Sequence, residues 1–415
     1  MTTRRLPRAL AATVALLASL ALASPSYAAD EHLPLGDADL PESRTTRTLA
    51  DGVTLTSITR GSEPADPSQI DTTTRGPWNV KVLTIDPDVA KGRLTATYGP
   101  DIARAETTTD LVRDAKAMIG VNASFFTFTA NPTYPGDPVG LGVYRGVLHS
   151  EPSSDKAEND LVVDGSTGRM LIGRTTWSGD VTNRSGARIG LESVDHPPVV
   201  PTSCAALPDQ TQCAADGDTT LFTDAFGAST PSGAGVEVVL DRRGCVVRTT
   251  TARGTTLTTG QSSIQATGSD TADLLRVAPK GCVEVRSTLR DESGRRVRLS
   301  DHVSGVNGRY RLTRDGQVVV PAGTGSFFAR NPRTIAGRTA DGRIVLAVID
   351  GRQTTSVGTT MDETAAVAHS LGLVDSLNLD GGGSSTMSTP SGPLNHPSGT
   401  GERLVGDALV WQPSR

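Results

Sequence analysis

The stretch Ser376-Leu377-Asn378-Leu379-Asp380-Gly381-Gly382-Gly383-Ser384-Ser385-Thr386-Met387 gathers residue types suited to chemistry on anions. Leu377 and Leu379 alternate with Asn378 and Asp380, so a strand here turns the leucines to one face and delivers Asn378 and Asp380 to the other at its C-terminal end. The three glycines let the backbone turn tightly and approach a ligand. The N–H groups of Gly381, Gly382 and Gly383, with the hydroxyls of Ser384, Ser385 and Thr386, are expected to form a nest for an anion such as phosphate. A carboxylate beside an anion cradle is a catalytic arrangement; the plain alternative is a Gly-rich turn capped by Asp380. A nucleotide P-loop fits poorly because no Lys follows the glycines. A serine-hydrolase elbow lacks its closing glycine.

Other candidates lie upstream and downstream. Arg333 follows Pro332, precedes Thr334 and carries a planar fork suited to phosphate oxygens. Asp350-Gly351 ends an apolar run and would bring a second carboxylate to the sheet edge of Asp380, with Arg352 as a solvated turn residue or a partner for Asp350. Asn122 reads from its type as a turn stabiliser, and Phe125-Phe126 as core. The six histidines show no metal spacing; His396, in Asn395-His396-Pro397, is the one worth following.

Asn378-Leu379-Asp380-Gly381-Gly382-Gly383-Ser384-Ser385-Thr386 resembles the hallmark of the phosphodiester glycosidase family. Further matches follow the family's order. Asn122-Ala123-Ser124-Phe125-Phe126 is similar to its Asn-x-x-Phe-Phe motif, and Pro332-Arg333-Thr334-Ile335-Ala336-Gly337 to Pro-Arg-Thr-x-x-Gly. Val348-Ile349-Asp350-Gly351-Arg352 resembles Val-Asp-Gly-Arg, and Asn395-His396-Pro397 with Gly401-Glu402-Arg403 the closing pattern. The likeness runs from about Gly52 to Val410, loosely over Thr175 to Pro279, and Ser124 stands where many relatives carry Gly. It implies a glycosidase that releases free sugar, such as N-acetylglucosamine, from a sugar 1-phosphodiester. On that reading Asp380 is the main catalytic carboxylate, with Asp350 or Glu402 as its second member. Arg333, Thr334, Asn122, Asn378, Arg403 and the segment Gly381 to Thr386 hold substrate and phosphate. Phosphate is already a good leaving group, so the site needs anion stabilisation more than strong protonation. Separation of the carboxylates would decide between retention and inversion. No cofactor is required, and a divalent ion on Asp380, Asp350 or Asn378 stays open. Two rival readings are a non-catalytic glycan-binding module and a phosphodiesterase that releases sugar phosphate, which would usually call for a metal cluster.

The elements that must position these residues are mostly strands. Gly52 to Ile58, Trp78 to Ile85, Arg93 to Tyr98, Leu161 to Val163, Val236 to Leu240, Cys245 to Thr250, Val283 to Ser287, Gln317 to Val320 and Ile344 to Ile349 are short, rich in Val, Ile and Thr, and bounded by turn residues. Helices are expected at Thr109 to Ile119, Asp273 to Val277 and Asp362 to Leu373. The expected fold is α+β: one large β-rich domain, residues 46–415, with few helices packed on mixed sheets and an irregular insertion at about 175–235. Residues 29–45, polar and Pro-containing, read as a flexible lead-in.

Residues 1–28 read as an export signal: Arg4, Arg5 and Arg8 precede an apolar run from Ala9 to Ala23, with Ser26 and Ala28 at the cleavage positions. Either the general or the twin-arginine route is compatible with Thr3-Arg4-Arg5. Removing those three arginines takes the net charge from −5 to −8, against a nucleic-acid partner held by bulk electrostatics. No later run reaches the roughly 20 apolar residues of a membrane span, so no membrane anchor is expected. Cys204, Cys213, Cys245 and Cys282 then belong in an oxidising compartment, with Cys204–Cys213 and Cys245–Cys282 the preferred pairs. A secreted protein acting on a cell-wall or other extracellular phosphoglycan is the resulting expectation. Sugar identity and oligomeric state are not written in the sequence.

Overall fold

The structure is a computed structural model that describes residues 1–2 and 32–414; the expected export signal, apart from its first two residues, lies outside the described residues. Its centre is an eight-stranded antiparallel sheet in the spatial order Glu42–Ala50, Val53–Arg60, Trp78–Ile85, Ile344–Ile349, Arg333–Thr339, Leu373–Asn378, Arg311–Arg314, Gln317–Val318. Ile344–Ile349 shows why it is central. Ile344, Leu346 and Val348 enter one core, Val345, Ala347 and Ile349 the opposite one, so the strand is buried on both faces.

The first core is shared with two five-stranded sheets. One contains Ile119–Asn122, Asp407–Pro413 and Met387–Thr389, contributing Val121, Leu409 and Met387. The other contains Glu158–Asp164 and Val303–Arg309, contributing Leu161, Val163 and Val306. The second core is covered by the helix Met361–Ser370, which buries Met361, Ala365, Val367 and Ala368. That helix starts in a capping box: Thr360 accepts from the Glu363 N–H at 3.1 Å, and Glu363 accepts from the Thr360 N–H at 2.9 Å. It ends before Gly372, which takes a left-handed φ of 78°.

Several expectations change. The sheets are antiparallel except where Ser193–Val194 runs parallel to Thr219–Thr223, so "mixed" applies to one outer sheet. The lead-in is packed: Leu33, Leu35 and Leu40 join the second core, Arg60 donates to the Leu35 carbonyl at 2.6 Å, and strand pairing begins at Glu42. Three leucines spaced among acids were enough to bury a segment whose composition reads as flexible. The expected insertion contains paired strands, among them Thr176–Asn183 and Arg188–Leu191, within an outer layer that runs on to Arg290. That layer has its own core of Val181, Val236, Ile264 and Leu274. Its irregular part lies around the Cys204–Cys213 disulfide; Cys245–Cys282 joins two neighbouring segments, and both pairs are those expected. The first helix spans Thr108–Asp114 rather than reaching Ile119, because Lys116 turns left-handed at φ 54° and Ile119 already pairs in a strand. The second runs over Asp270–Val277 and the third ends at Ser370.

Candidate active site

Antiparallel pairing brings three chain segments to one edge of the central sheet. Arg333 opens its strand opposite Ile349, the last residue of the neighbouring strand, while Ile335 pairs with Asn378 at the end of the next. The start of one strand and the ends of two others therefore deliver Arg333, Arg352 and Asp380 to a pocket of about 250 Å³. Phe125, Phe327, Asn378 and Arg403 complete its chemically informative lining. Leu377 and Leu379 point into the core and Asn378 and Asp380 into the pocket, the alternation expected from their sequence.

Asp380 is fixed through main chain and side chain. Its N–H donates to the Ala123 carbonyl at 2.9 Å, its carbonyl accepts from Asn122 Nδ2 at 2.7 Å, and its Oδ1 accepts from the Gly381 N–H at 2.9 Å. Burial pushes its carboxyl up to about 6; the Ser384 hydroxyl, the Gly381 N–H and the Arg403 charge oppose this, and the Asp407 charge adds to it. Near neutral pH it is a base with a ready proton affinity.

Three arginines, Arg333, Arg352 and Arg403, line the pocket with that carboxylate. Arg333 is 2% exposed and donates through Nε to the Thr359 carbonyl at 3.2 Å and through Nη2 to the Phe327 and Ala329 carbonyls at 2.8 and 2.9 Å. Burial lowers its pKa to about 10, helped by the like charge of Arg352, and it stays charged at neutral pH. Arg352, left-handed at φ 60°, is steered by Asn331, whose Oδ1 accepts from its Nη2 at 2.6 Å. Arg403 lies 4.8 Å over the Phe128 ring, and a Cβ on Gly383 would come within 2.4 Å of its Nη2. A side chain at Gly383 would therefore displace the Arg403 guanidinium. Among the described residues, no carboxylate forms an ion pair with any of these three arginines.

Several expected site residues do other work. Asn122 and Thr334 are fully buried and bonded to each other: Asn122 Oδ1 accepts from Thr334 Oγ1 at 2.8 Å and from the Thr386 N–H at 3.1 Å. They hold the loop of Asp380 and lie outside the pocket lining. Most of the expected amide nest is taken up within the loop. Gly382 N–H donates to the Pro332 carbonyl, Ser384 N–H to Gly381, Ser385 N–H to Gly382 and Gly381 N–H to Asp380 itself. Ser384, Ser385 and Thr386 are buried beneath the loop, outside the pocket lining, and a one-turn helix at Gly382–Ser384 takes up the Ser384 and Ser385 amides.

Asp350 and Glu402 do not line the pocket with Asp380. Asp350 Oδ1 accepts from Asn395 Nδ2 at 2.8 Å, and both its oxygens accept from the His396 N–H at 3.2 Å. Asn395 in turn accepts from the Met387 N–H at 2.8 Å and donates to the Ser385 carbonyl at 3.0 Å, so Asp350 braces the glycine loop from behind. The His396 ring is largely exposed. Glu402 accepts from the N–H and hydroxyl of Thr109 and holds the N-terminus of the helix Thr108–Asp114, where a carboxylate is favoured by the helix dipole. Asp380 is therefore the one carboxylate lining the pocket among the described residues. Among those residues no three His, Cys, Asp or Glu side chains come together as metal ligands would.

Sequence reasoning missed Phe125 as a pocket wall, along with Arg352, Asn331 and Phe327. Phe125 is held by Asn307, which accepts from its N–H at 3.0 Å, and lies 6.1 Å from the Phe327 ring. Phe327 precedes the Arg333 motif by a few residues; its neighbourhood was the available signal.

The solved structure of a protein of Burkholderia pseudomallei assigned to export is similar at a TM-score of 0.76 and 26% identity, covering 92% of this chain and 99% of that one. A Synechocystis protein of undescribed activity shares the fold at a TM-score of 0.68 and 19% identity, over 90% of this chain and 64% of that one. A prophage-derived protein of Bacillus subtilis, YomE, is 35% identical over 81 residues, 20% of this chain; the match spans 13% of that relative's length. The Asn122 motif lies outside the family match, whereas Arg333, Arg352, Asp380 and Arg403 lie inside it. Over residues 234–411 the chain matches the phosphodiester glycosidase family, the family its motifs resemble.

Proposed function

We propose that the protein is a secreted hydrolase that cleaves a sugar 1-phosphodiester at the anomeric carbon and releases free sugar. The observation that carries this reading is one pocket in which a carboxylate of raised pKa meets three arginines that, among the described residues, form no ion pair with a protein carboxylate. Arg333, Arg352 and Arg403 would bind the phosphodiester and stabilise the charge that collects on the departing phosphate. Phe125 and Phe327 would form the apolar wall for a sugar face. Asp380, ionised above about pH 6, would activate water or attack the anomeric carbon. A phosphate leaving group needs no strong acid, which fits a pocket without a second carboxylate.

The two disulfides suit an oxidising compartment and the leader-like N-terminus suits export. An extracellular phosphoglycan is the substrate class we favour. The test is to incubate the mature chain with UDP-N-acetylglucosamine and a synthetic N-acetylglucosamine 1-phosphodiester, comparing wild type with Asp380→Asn and Arg403→Ala. Free sugar from wild type, lost in both variants, is the expected result. Sugar phosphate would replace this reading with a phosphodiesterase, and binding without turnover with a glycan-binding module.

A further inference from the structure

A second cavity, of about 840 Å³, shares no lining residue with the pocket of Asp380. Its bed is apolar, formed by Leu148, Val194, Leu221, Leu289, Val297 and Leu299, and no Asp or Glu lines it. Those side chains belong to one cluster that extends between the strand Val147–Ser150 and the outer layer. Its charged members are Arg296 and Arg298, both exposed.

These two arginines differ from their neighbours. Arg295 pairs with Asp291 at 3.2 Å, Arg286 with Glu284 at 2.8 Å, and Arg314 with Glu292 at 3.0 Å. Among the described residues, the Arg296 and Arg298 side chains have no ion pair or hydrogen bond, although acids stand nearby. Those acids are occupied: Asp291 by Ser293 and Arg295, Asp375 by Arg311 and Arg338, Glu292 by Arg314, and Asp164 by Ser166. Arg296 and Arg298 also line an adjoining polar cavity of about 700 Å³, so they stand where an apolar trough meets a polar one.

We propose that this groove binds a single-chain amphiphile with an anionic head group. The hydrocarbon chain lies along Leu221, Leu289, Val297 and Leu299, where burying it removes apolar surface of both partners from water. The head group is held by the guanidinium forks of Arg296 and Arg298, which suit phosphate and carboxylate oxygens alike. Charge complementarity selects an anion over a neutral amphiphile, and the apolar bed selects a long-chain anion over a free one.

The experiment is calorimetric titration of the full mature chain with dodecyl phosphate below its micelle concentration, beside inorganic phosphate and neutral dodecyl maltoside. Dodecyl phosphate should saturate one site, with either control at least about ten times weaker. Arg296→Gln/Arg298→Gln and Leu299→Ser should each weaken dodecyl phosphate about tenfold or more, with thermal midpoints near wild type for the arginine variant because its side chains have no partners to lose. Arg296→Lys/Arg298→Lys should keep most of the binding. Equal binding of inorganic phosphate would overturn the proposal in favour of a purely polar anion site, and equal binding of the maltoside would remove the role of charge. Absence of binding, or affinity unchanged in the variants, would refute it.

Discussion

Replacing Asp380 by Asn should abolish turnover and stabilise the fold at neutral pH. The folded-state carboxyl is pushed up to about 6 from an ordinary 3.8, chiefly by burial, so the folded protein takes up this proton more readily than the unfolded chain. Wild type therefore carries its full penalty above about pH 7 and sheds it as pH falls through 6 toward 3.8. Full expression of that difference at pH 7.5 is worth about 3 kcal/mol. Asp380 lines a pocket that water reaches, and about 2 kcal/mol is the more reasonable figure. Asn keeps an oxygen for the Gly381 N–H at 2.9 Å, so the substitution removes charge and little else. Thermal melts of both proteins at pH 7.5 and 4.5 provide the assay: the variant's midpoint should lie a few degrees higher at pH 7.5, and the gap should shrink to about a third of its size at pH 4.5. A variant less stable than wild type at pH 7.5, or a gap that ignores pH, would refute the reasoning.

Other expected outcomes follow from the same geometry. Arg352→Ala and Arg403→Ala should lower kcat/KM on a sugar 1-phosphodiester by about 10- to 100-fold with thermal midpoints near wild type, whereas Arg333→Ala, which strands three carbonyls, should lose both activity and stability. Glu402→Gln should leave kcat within a few-fold yet cost about 1 kcal/mol in a denaturant titration, since it caps a helix. His196, 2.9 Å from Asp137, is pulled down by burial but raised further by the charges of Asp137, Glu151 and Asp195, to about 9. Its contribution to stability should be complete below about pH 6.5 and fade as pH rises through 9, so wild type and His196→Gln should converge in stability above pH 9.

Several strands were legible because each carries its own signal: Trp78–Ile85 and Ile344–Ile349 in the central sheet and Val236–Leu240 in the outer layer have the bounds that their β-branched runs predicted. The alternation across Leu377 to Asp380 was equally plain, because period 2 is a local property. What could not be read locally was where backbone donors would find partners. The glycine run looks like an anion nest until Pro332 arrives from another strand to accept the Gly382 N–H. Asp350 and Glu402 carry the right functional group, but Asn395 and Thr109, distant in sequence, claim them. Arg352 failed for the opposite reason: its left-handed turn and its hold on Asn331 are tertiary facts, and its type alone suggested a solvated surface. The parallel pair in the outer layer was similarly invisible, since two short strands show no direction in their composition.

The most direct test is to hydrolyse a synthetic sugar 1-phosphodiester with wild-type protein in heavy-oxygen water and locate the label by mass spectrometry. Label on the sugar's anomeric oxygen, with unlabelled phosphate and a rate that rises with pH through about 6, is what attack at the anomeric carbon through Asp380 predicts. Label in the phosphate would mean that the phosphorus–oxygen bond breaks, and would contradict the account.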